Sequence, residues 1–201
     1  MQTTRRSHAH TIPFLFQATL NTQCRWEYAV PKMAAYRKLI LIGFMASGKS
    51  AVATALAPQL GLRLIQIDDE IVSRSGLPSI PAIFAEKGEP YFRELEATVA
   101  ASLRDSQGVI ISTGGGIITR EENMTNLKYN GGLVIYLQTS FETIASRAED
   151  LSSRPLFANK KNALELFHHR LPIYERHADI IIDTDGRSVE QVCSAILTQL
   201  Q

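Results

Sequence analysis

Residues 39–56 read LILIGFMASGKSAVATAL: a β-branched apolar run meets a loop of small residues that closes on Gly48, Lys49 and Ser50. The run suits a buried strand, and Lys49 to Leu60 suits a helix that stops at Gly61. Between them, Gly43 to Ser50 fits G-x-x-x-x-G-K-[ST] in the context that motif requires. Successive backbone N–H groups there form an anion-binding concavity, and the helix N-terminus adds partial positive charge. Gly43 and Gly48 permit the tight path, Lys49 faces the β- and γ-phosphates, and the Ser50 hydroxyl is placed to ligand Mg²⁺. A bound nucleoside triphosphate is the first expectation.

Outward from this stretch, four more short apolar runs recur: 62–67 (LRLIQI), 108–113 (GVIIST), 132–137 (GLVIYL) and 178–184 (ADIIIDT). Their nearly continuous apolar character suits strands covered on both faces. Helical patterns separate them, at 89–103, 120–129, 140–149, 161–176 and 188–200. Alternation of this kind predicts βαβ units in a parallel sheet, with ligands beyond the carboxyl ends of the strands. Pro58 is expected to distort the last turn of the first helix. Residues 150–162, DLSSRPLFANKKN, read as a loop, with Pro155 breaking periodicity.

Composition narrows the class. With 201 residues and 45% hydrophobic content the chain can bury one sizeable core. Its 21 basic and 20 acidic residues leave a formal charge of +1, which argues against nucleic acid as a partner. Cys24 and Cys193 stand far apart without a metal-ligand pattern, as suits incidental thiols in a reducing compartment. No apolar run approaches the ~20 residues needed to span a bilayer, so no membrane partner is expected. The first 32 residues hold Arg5, Arg6, Arg25 and Lys32 against one acid, Glu27. Residues 1–33 therefore read as a disordered or upstream-start tail before a domain over 34–201, with a transit peptide as the alternative. The expected location is the cytoplasm, or a plastid if the tail is such a peptide.

A phosphate loop alone does not separate a kinase from a GTPase or a motor. The other strand ends carry that distinction. Asp68-Asp69-Glu70 follow the second run, where a carboxylate can accept a hydroxyl proton or order a metal's waters, or simply cap the next helix. Gly114, Gly115 and Gly116 follow the third run; three glycines cost entropy that a plain turn does not require, so close approach of a small ligand is expected. In 88–96, GEPYFRELE, Arg93 and Glu96 are three apart, as in a surface ion pair. Arg170 would be an ordinary helix residue on its own. Two arginines flanking one sheet edge, however, suit a substrate carboxylate gripped in bidentate fashion. Arg154, in the loop, could close over a transferring phosphoryl group.

The ordered set GFMASGKS, IDDEI with SRSG, IFAEKGEPYFRELE, STGGG, SRPLF and RLPIYE resembles the shikimate kinase family over residues 38–200. The resemblance implies an α/β three-layer P-loop kinase fold: a five-stranded parallel sheet in the order 2-3-1-4-5, helices on both faces and a flexible lid. It implies transfer of the γ-phosphate of ATP to the 3-hydroxyl of shikimate, with Mg²⁺. By position, Asp68 would hold shikimate hydroxyls and act as base, Arg93 and Arg170 would hold the carboxylate, and Gly114, Gly115 and Gly116 would line the ring. Glu96 would orient Arg93. Lys49, Asp68 and Arg154 form the implied catalytic set. The implied nucleotide set is Gly43, Ala46, Ser47, Gly48, Lys49, Ser50, Ala51, Arg154 and, more loosely aligned, Arg187. Lid closure would exclude water, and the expected form is a monomer.

Two departures from the family pattern stand out. The family usually has Asp-x-Asp where this chain has Gln66-Ile67-Asp68, so the first acid is an uncharged amide; the expectation is weaker Mg²⁺ affinity with activity kept. Ala46 stands where many relatives have glycine and is tolerable if its φ is negative. Two competing readings are a catalytically dead nucleotide-binding relative and a kinase for another small polyol acid such as gluconate.

Overall fold

In the computed structural model, which describes residues 37–149 and 160–201, five strands form one wholly parallel sheet. They are β1 (Lys38–Ile42), β2 (Arg63–Gln66), β3 (Val109–Ser112), β4 (Gly132–Gln138) and β5 (Ile180–Asp183), in the order β2-β3-β1-β4-β5. This is the order expected. Every residue of β1 is buried, because the strand is central and covered on both faces, whereas the edge strands β2 and β5 expose part of theirs. In register, Ile40 lies between Ile111 and Val134.

Alternation along β1 divides the core in two. Leu39 and Leu41 face helix α1 (Lys49–Leu60), through Val52 and Leu56, and the last helix, α7 (Val189–Gln199), through Val192 and Ile196. Ile40 and Ile42 face the opposite layer: α2 (Ile67–Ser75), α3 (Ile80–Ser102), α4 (Glu121–Lys128), α5 (Phe141–Glu149) and α6 (Lys160–His177). Ser188 caps α7 in a reciprocal pair with Gln191, as its sequence invites. Lys38 opens β1 fully buried, with Nζ donating to the Leu103 and Arg104 carbonyls at the end of α3. There a cation meets the negative helix terminus, while burial lowers its pKa.

Several boundaries differ from expectation. The second strand is shorter, because α2 starts at Ile67, a helix that the strand-helix alternation does not reveal. The helix expected to begin at Glu89 is the second half of α3, broken at Gly88 with φ 79 and ψ 169, a conformation open to glycine alone. Pro90 then sits in the first turn of that second half, where its missing N–H costs little. Pro58 does not end α1, which runs to Leu60 and stops at left-handed Gly61. Of the expected 150–162 loop, Lys160, Lys161 and Asn162 belong to α6, and 150–159 lie outside the described residues.

Candidate active site

The phosphate loop joins β1 to α1. Gly43 has φ 149, and a side-chain carbon there would stand 2.8 Å from both the Leu137 carbonyl and Ser47 Oγ. Left-handed Gly48 (φ 92) precedes Lys49, whose buried Nζ donates to the carbonyls of Gly43 (2.9 Å) and Phe44 (2.7 Å) and to Ser47 Oγ (3.3 Å). Ser50 Oγ lies 3.4 Å from Ser112 Oγ at the end of β3, and Ala51 is exposed in the first turn. Ala46 does not meet the condition of negative φ: its φ is +60, the left-handed region that L side chains rarely adopt. Its methyl packs on the core, and its carbonyl accepts from Arg147 Nη1 of α5 at 3.2 Å. Arg147 therefore stands beside the loop, a placement that the motif does not signal.

The three glycines after β3 are small for three separate reasons, and none has positive φ. A side-chain carbon on Gly114 would meet Asp68 Oδ1 at 3.0 Å and Glu96 Oε1 at 3.3 Å. On Gly115 it would meet Met45 N at 3.2 Å and the Gly43 carbonyl at 3.5 Å; on Gly116 it would run into the Arg93 guanidinium. What fills the space above these glycines is thus the rest of the site, rather than a ligand alone. Three consecutive residues touch the acids, the phosphate loop and an arginine in turn.

Asp68 lies in the first turn of α2 with Asp69 and Glu70, where acids offset the helix dipole; the N-cap is Gln66, without a side-chain capping bond. The capping role considered for Asp68 or Asp69 is therefore not taken. Gln66 Nε2 donates to Asp69 Oδ2 at 2.9 Å, and Gln66 pairs in register with Ser112, beside Ser50. Arg93 is half-buried: Nη1 donates to Glu96 Oε2 at 2.8 Å, while Nε and Nη2 reach Glu89 Oε1. Burial opposes its charge, but the two glutamates outweigh this and raise its pKa. Burial pushes the Glu96 carboxyl up, against the pull of Arg93.

Arg170, on α6, is buried, and Nη1 donates to the Gly115 carbonyl at 3.3 Å. Burial lowers its pKa from a very high ordinary value, and the guanidinium remains charged. Among the described residues, Arg170 Nε and Glu96 Oε1 are buried without a hydrogen-bond partner. Such orphans are costly, and a polar ligand or water would satisfy them. Phe84 and Phe92 pack with ring centroids 4.9 Å apart, and Arg93 lies over Phe92. Tyr174, four residues after Arg170 and so on the same helix face, also donates to Gly115; only that spacing signals it.

The structure thus gathers Lys49, Ser50, Asp68, Arg93, Gly114, Gly115, Gly116 and Arg170 at one sheet edge. Arg187 is exposed in the loop after β5, its N–H donating to the Thr184 carbonyl. Arg154 lies outside the described residues. No cluster of three or more His, Cys, Asp or Glu side chains suited to a metal occurs among the described residues, and no described helix is long and apolar enough to cross a membrane.

Comparison with known proteins bears on the family and the fold. A family model for shikimate kinase covers residues 45–201. A shikimate kinase of Persephonella marina is 43% identical over 166 residues, 82% of this chain and 99% of that protein. The solved shikimate kinase of Acinetobacter baumannii in complex with shikimate superposes with TM-score 0.77 at 31% identity, covering 85% of this chain and 97% of that one. That of Aquifex aeolicus superposes with TM-score 0.69 at 38% identity, covering 81% and 95%.

Proposed function

The chain belongs to the shikimate kinase family and transfers phosphate from ATP to a shikimate hydroxyl, and we propose that the residues at this sheet edge divide that work as follows. The amides of the phosphate loop and Lys49 hold the β- and γ-phosphates. Asp68 fixes the attacking 3-hydroxyl and accepts its proton as the new P–O bond forms and the bond to ADP breaks. Arg93, oriented by Glu96 and Glu89, grips the shikimate carboxylate together with Arg170. Phosphoryl transfer asks for little else, since in-line positioning and charge neutralisation supply most of the acceleration.

The observation that carries this reading is the Gly114–Gly116 segment, which abuts the acids, the phosphate loop and Arg93 at successive residues. One short stretch thereby spaces donor from acceptor. The orphaned Arg170 Nε and the paired guanidinium groups supply the polar partners an acid substrate would complete.

Mg²⁺ fits the donor set beside the loop: the exposed Ser50 hydroxyl with Ser112 and Gln66 nearby, neutral oxygens suited to a hard cation that keeps most of its waters. Bound there, it would neutralise phosphate charge. Arg147 at the loop and Arg187 beyond β5 are assigned to the nucleotide, and Arg154 to the lid. The catalytic domain is assigned to 34–201, in a monomer of the cytoplasm, or of a plastid should 1–33 prove a transit peptide. Steady-state kinetics test the division: Lys49→Ala abolishes transfer, whereas Arg93→Ala chiefly raises KM for shikimate. Unchanged kinetics in the second variant remove Arg93 from the site.

A further inference from the structure

Gln66 ends β2 and stands at the N-cap of α2, yet its side chain makes no capping bond to that helix. Its Nε2 donates instead to Asp69 Oδ2 at 2.9 Å, three residues on in the first turn. That bond decides which way the amide faces. A carboxylate only accepts, so Asp69 takes the NH₂ branch and leaves Oε1, on the other branch of the same planar group, to other partners. Strand alternation gives the neighbourhood. Leu64 and Ile110 pack in the half of the core covered by α1, so Gln66 and Ser112, two residues further along β2 and β3, stand on that same face. They pair in register, and Ser112 Oγ lies 3.4 Å from Ser50 Oγ in the first turn of α1. A cation that keeps its waters needs acceptor oxygens around them, and an NH₂ group turned to those waters would set donor against donor. The carboxylate also polarises the amide it holds, which strengthens Oε1 as an acceptor.

We propose that Asp69 is a positioning residue for the Mg²⁺-nucleotide: it fixes the Gln66 amide with Oε1 available to the metal's water shell, and it supplies, one hydrogen bond further out, the negative charge that Gln66 lacks. This rests on the placement of Mg²⁺ at Ser50. An acid in the first turn also offsets the helix dipole, but that role changes the stability of α2 and not the metal dependence of nucleotide binding.

The test is calorimetric binding of a non-hydrolysable ATP analogue to the full chain, without Mg²⁺ and across a Mg²⁺ titration. Asp69→Ala is expected to raise the Mg²⁺ concentration for half-maximal binding by about threefold or more, the scale of one lost hydrogen bond. Its affinity for the analogue without Mg²⁺ is expected to match the wild type. In a Gln66→Ala background the same substitution should add nothing, because Asp69 acts through the amide. Asp69→Asn, which keeps an acceptor oxygen and removes the charge, is expected to fall between the wild type and Asp69→Ala. An unchanged Mg²⁺ requirement in Asp69→Ala or in Asp69→Asn overturns the proposal. So does an equal loss of Mg²⁺-free binding, or a full effect of Asp69→Ala without Gln66. Ser50→Ala separates the proposal from its premise: if it leaves the Mg²⁺ requirement unchanged, the metal placement falls, and if it raises the requirement while Asp69→Ala does not, only the role of Asp69 falls.

Discussion

The guanidinium of Arg93 occupies the space that a side chain at Gly116 would need. A glycine after β3 and an arginine in the second half of α3 are thus one feature, set by the break at Gly88 that aims the helix. Gly116→Ala should displace Arg93 without touching Lys49. The expected outcome is a rise of roughly tenfold or more in KM for shikimate, of the order a lost charged hydrogen bond gives, with KM for ATP nearly unchanged. Steady-state kinetics with each substrate varied check it; a matched rise in both constants would point instead to general collapse of the edge.

Ala46 holds φ +60 in the phosphate loop. The left-handed region costs an L-residue roughly 1–2 kcal/mol, part of which its methyl recovers by packing on the core. Ala46→Gly is expected to raise unfolding stability by about 0.5–1 kcal/mol, and Ala46→Val, β-branched at positive φ, to lower it. Urea titrations of the three proteins measure this; a loss in the glycine variant would show that the methyl contact outweighs the strain.

His177 closes α6 and is buried, its Nε2 3.6 Å from Glu121 Oε2. Burial lowers its pKa, Glu121 opposes that, and Arg176 and Lys128 reinforce it. A base whose folded pKa lies below the unfolded value binds fewer protons when folded, so stability is fully present above the unfolded value of about 6.5 and falls as pH drops from there toward the folded one. The melting temperature should decline between pH 7 and pH 5, and His177→Gln should flatten the slope. An identical slope in the variant would assign the decline to other groups.

Gln66 stands beside Ser112 and Ser50 and spends its amide on Asp69. Restoring a charge with Gln66→Asp should lower the Mg²⁺ concentration that half-saturates turnover, and also the Mg²⁺ needed for nucleotide binding by calorimetry. If both proteins saturate alike, the amide serves the metal's water shell as well as a carboxylate does.

The strands and the phosphate loop were legible because burial on both faces leaves continuous apolar runs, and because a triphosphate cradle needs glycine, lysine and serine at fixed spacing. Helix α2 was not legible: in IDDEIVSRS only Ile67 and Ile71 are buried, too few to mark a period. The first half of α3 was not legible either: the helical pattern was read only from Glu89 onward, although Ser79 caps that half and Gly88 marks its turn into the second. The reasons for the three glycines lie in neighbours from distant parts of the chain: Asp68, Met45 and Arg93. No local pattern encodes them. The sign of φ at Ala46 was equally out of reach, since it depends on the path of the whole loop.

The measurement that bears most directly on the account is ADP release by the wild-type chain, coupled to a reporter, with shikimate, with gluconate and with no acceptor. The account predicts rapid Mg²⁺-dependent release with shikimate and near-background release in the other two. Equal release in all three, or release that follows gluconate, would contradict a cleft in which Asp68, Arg93 and Arg170 hold a cyclic acid against Lys49.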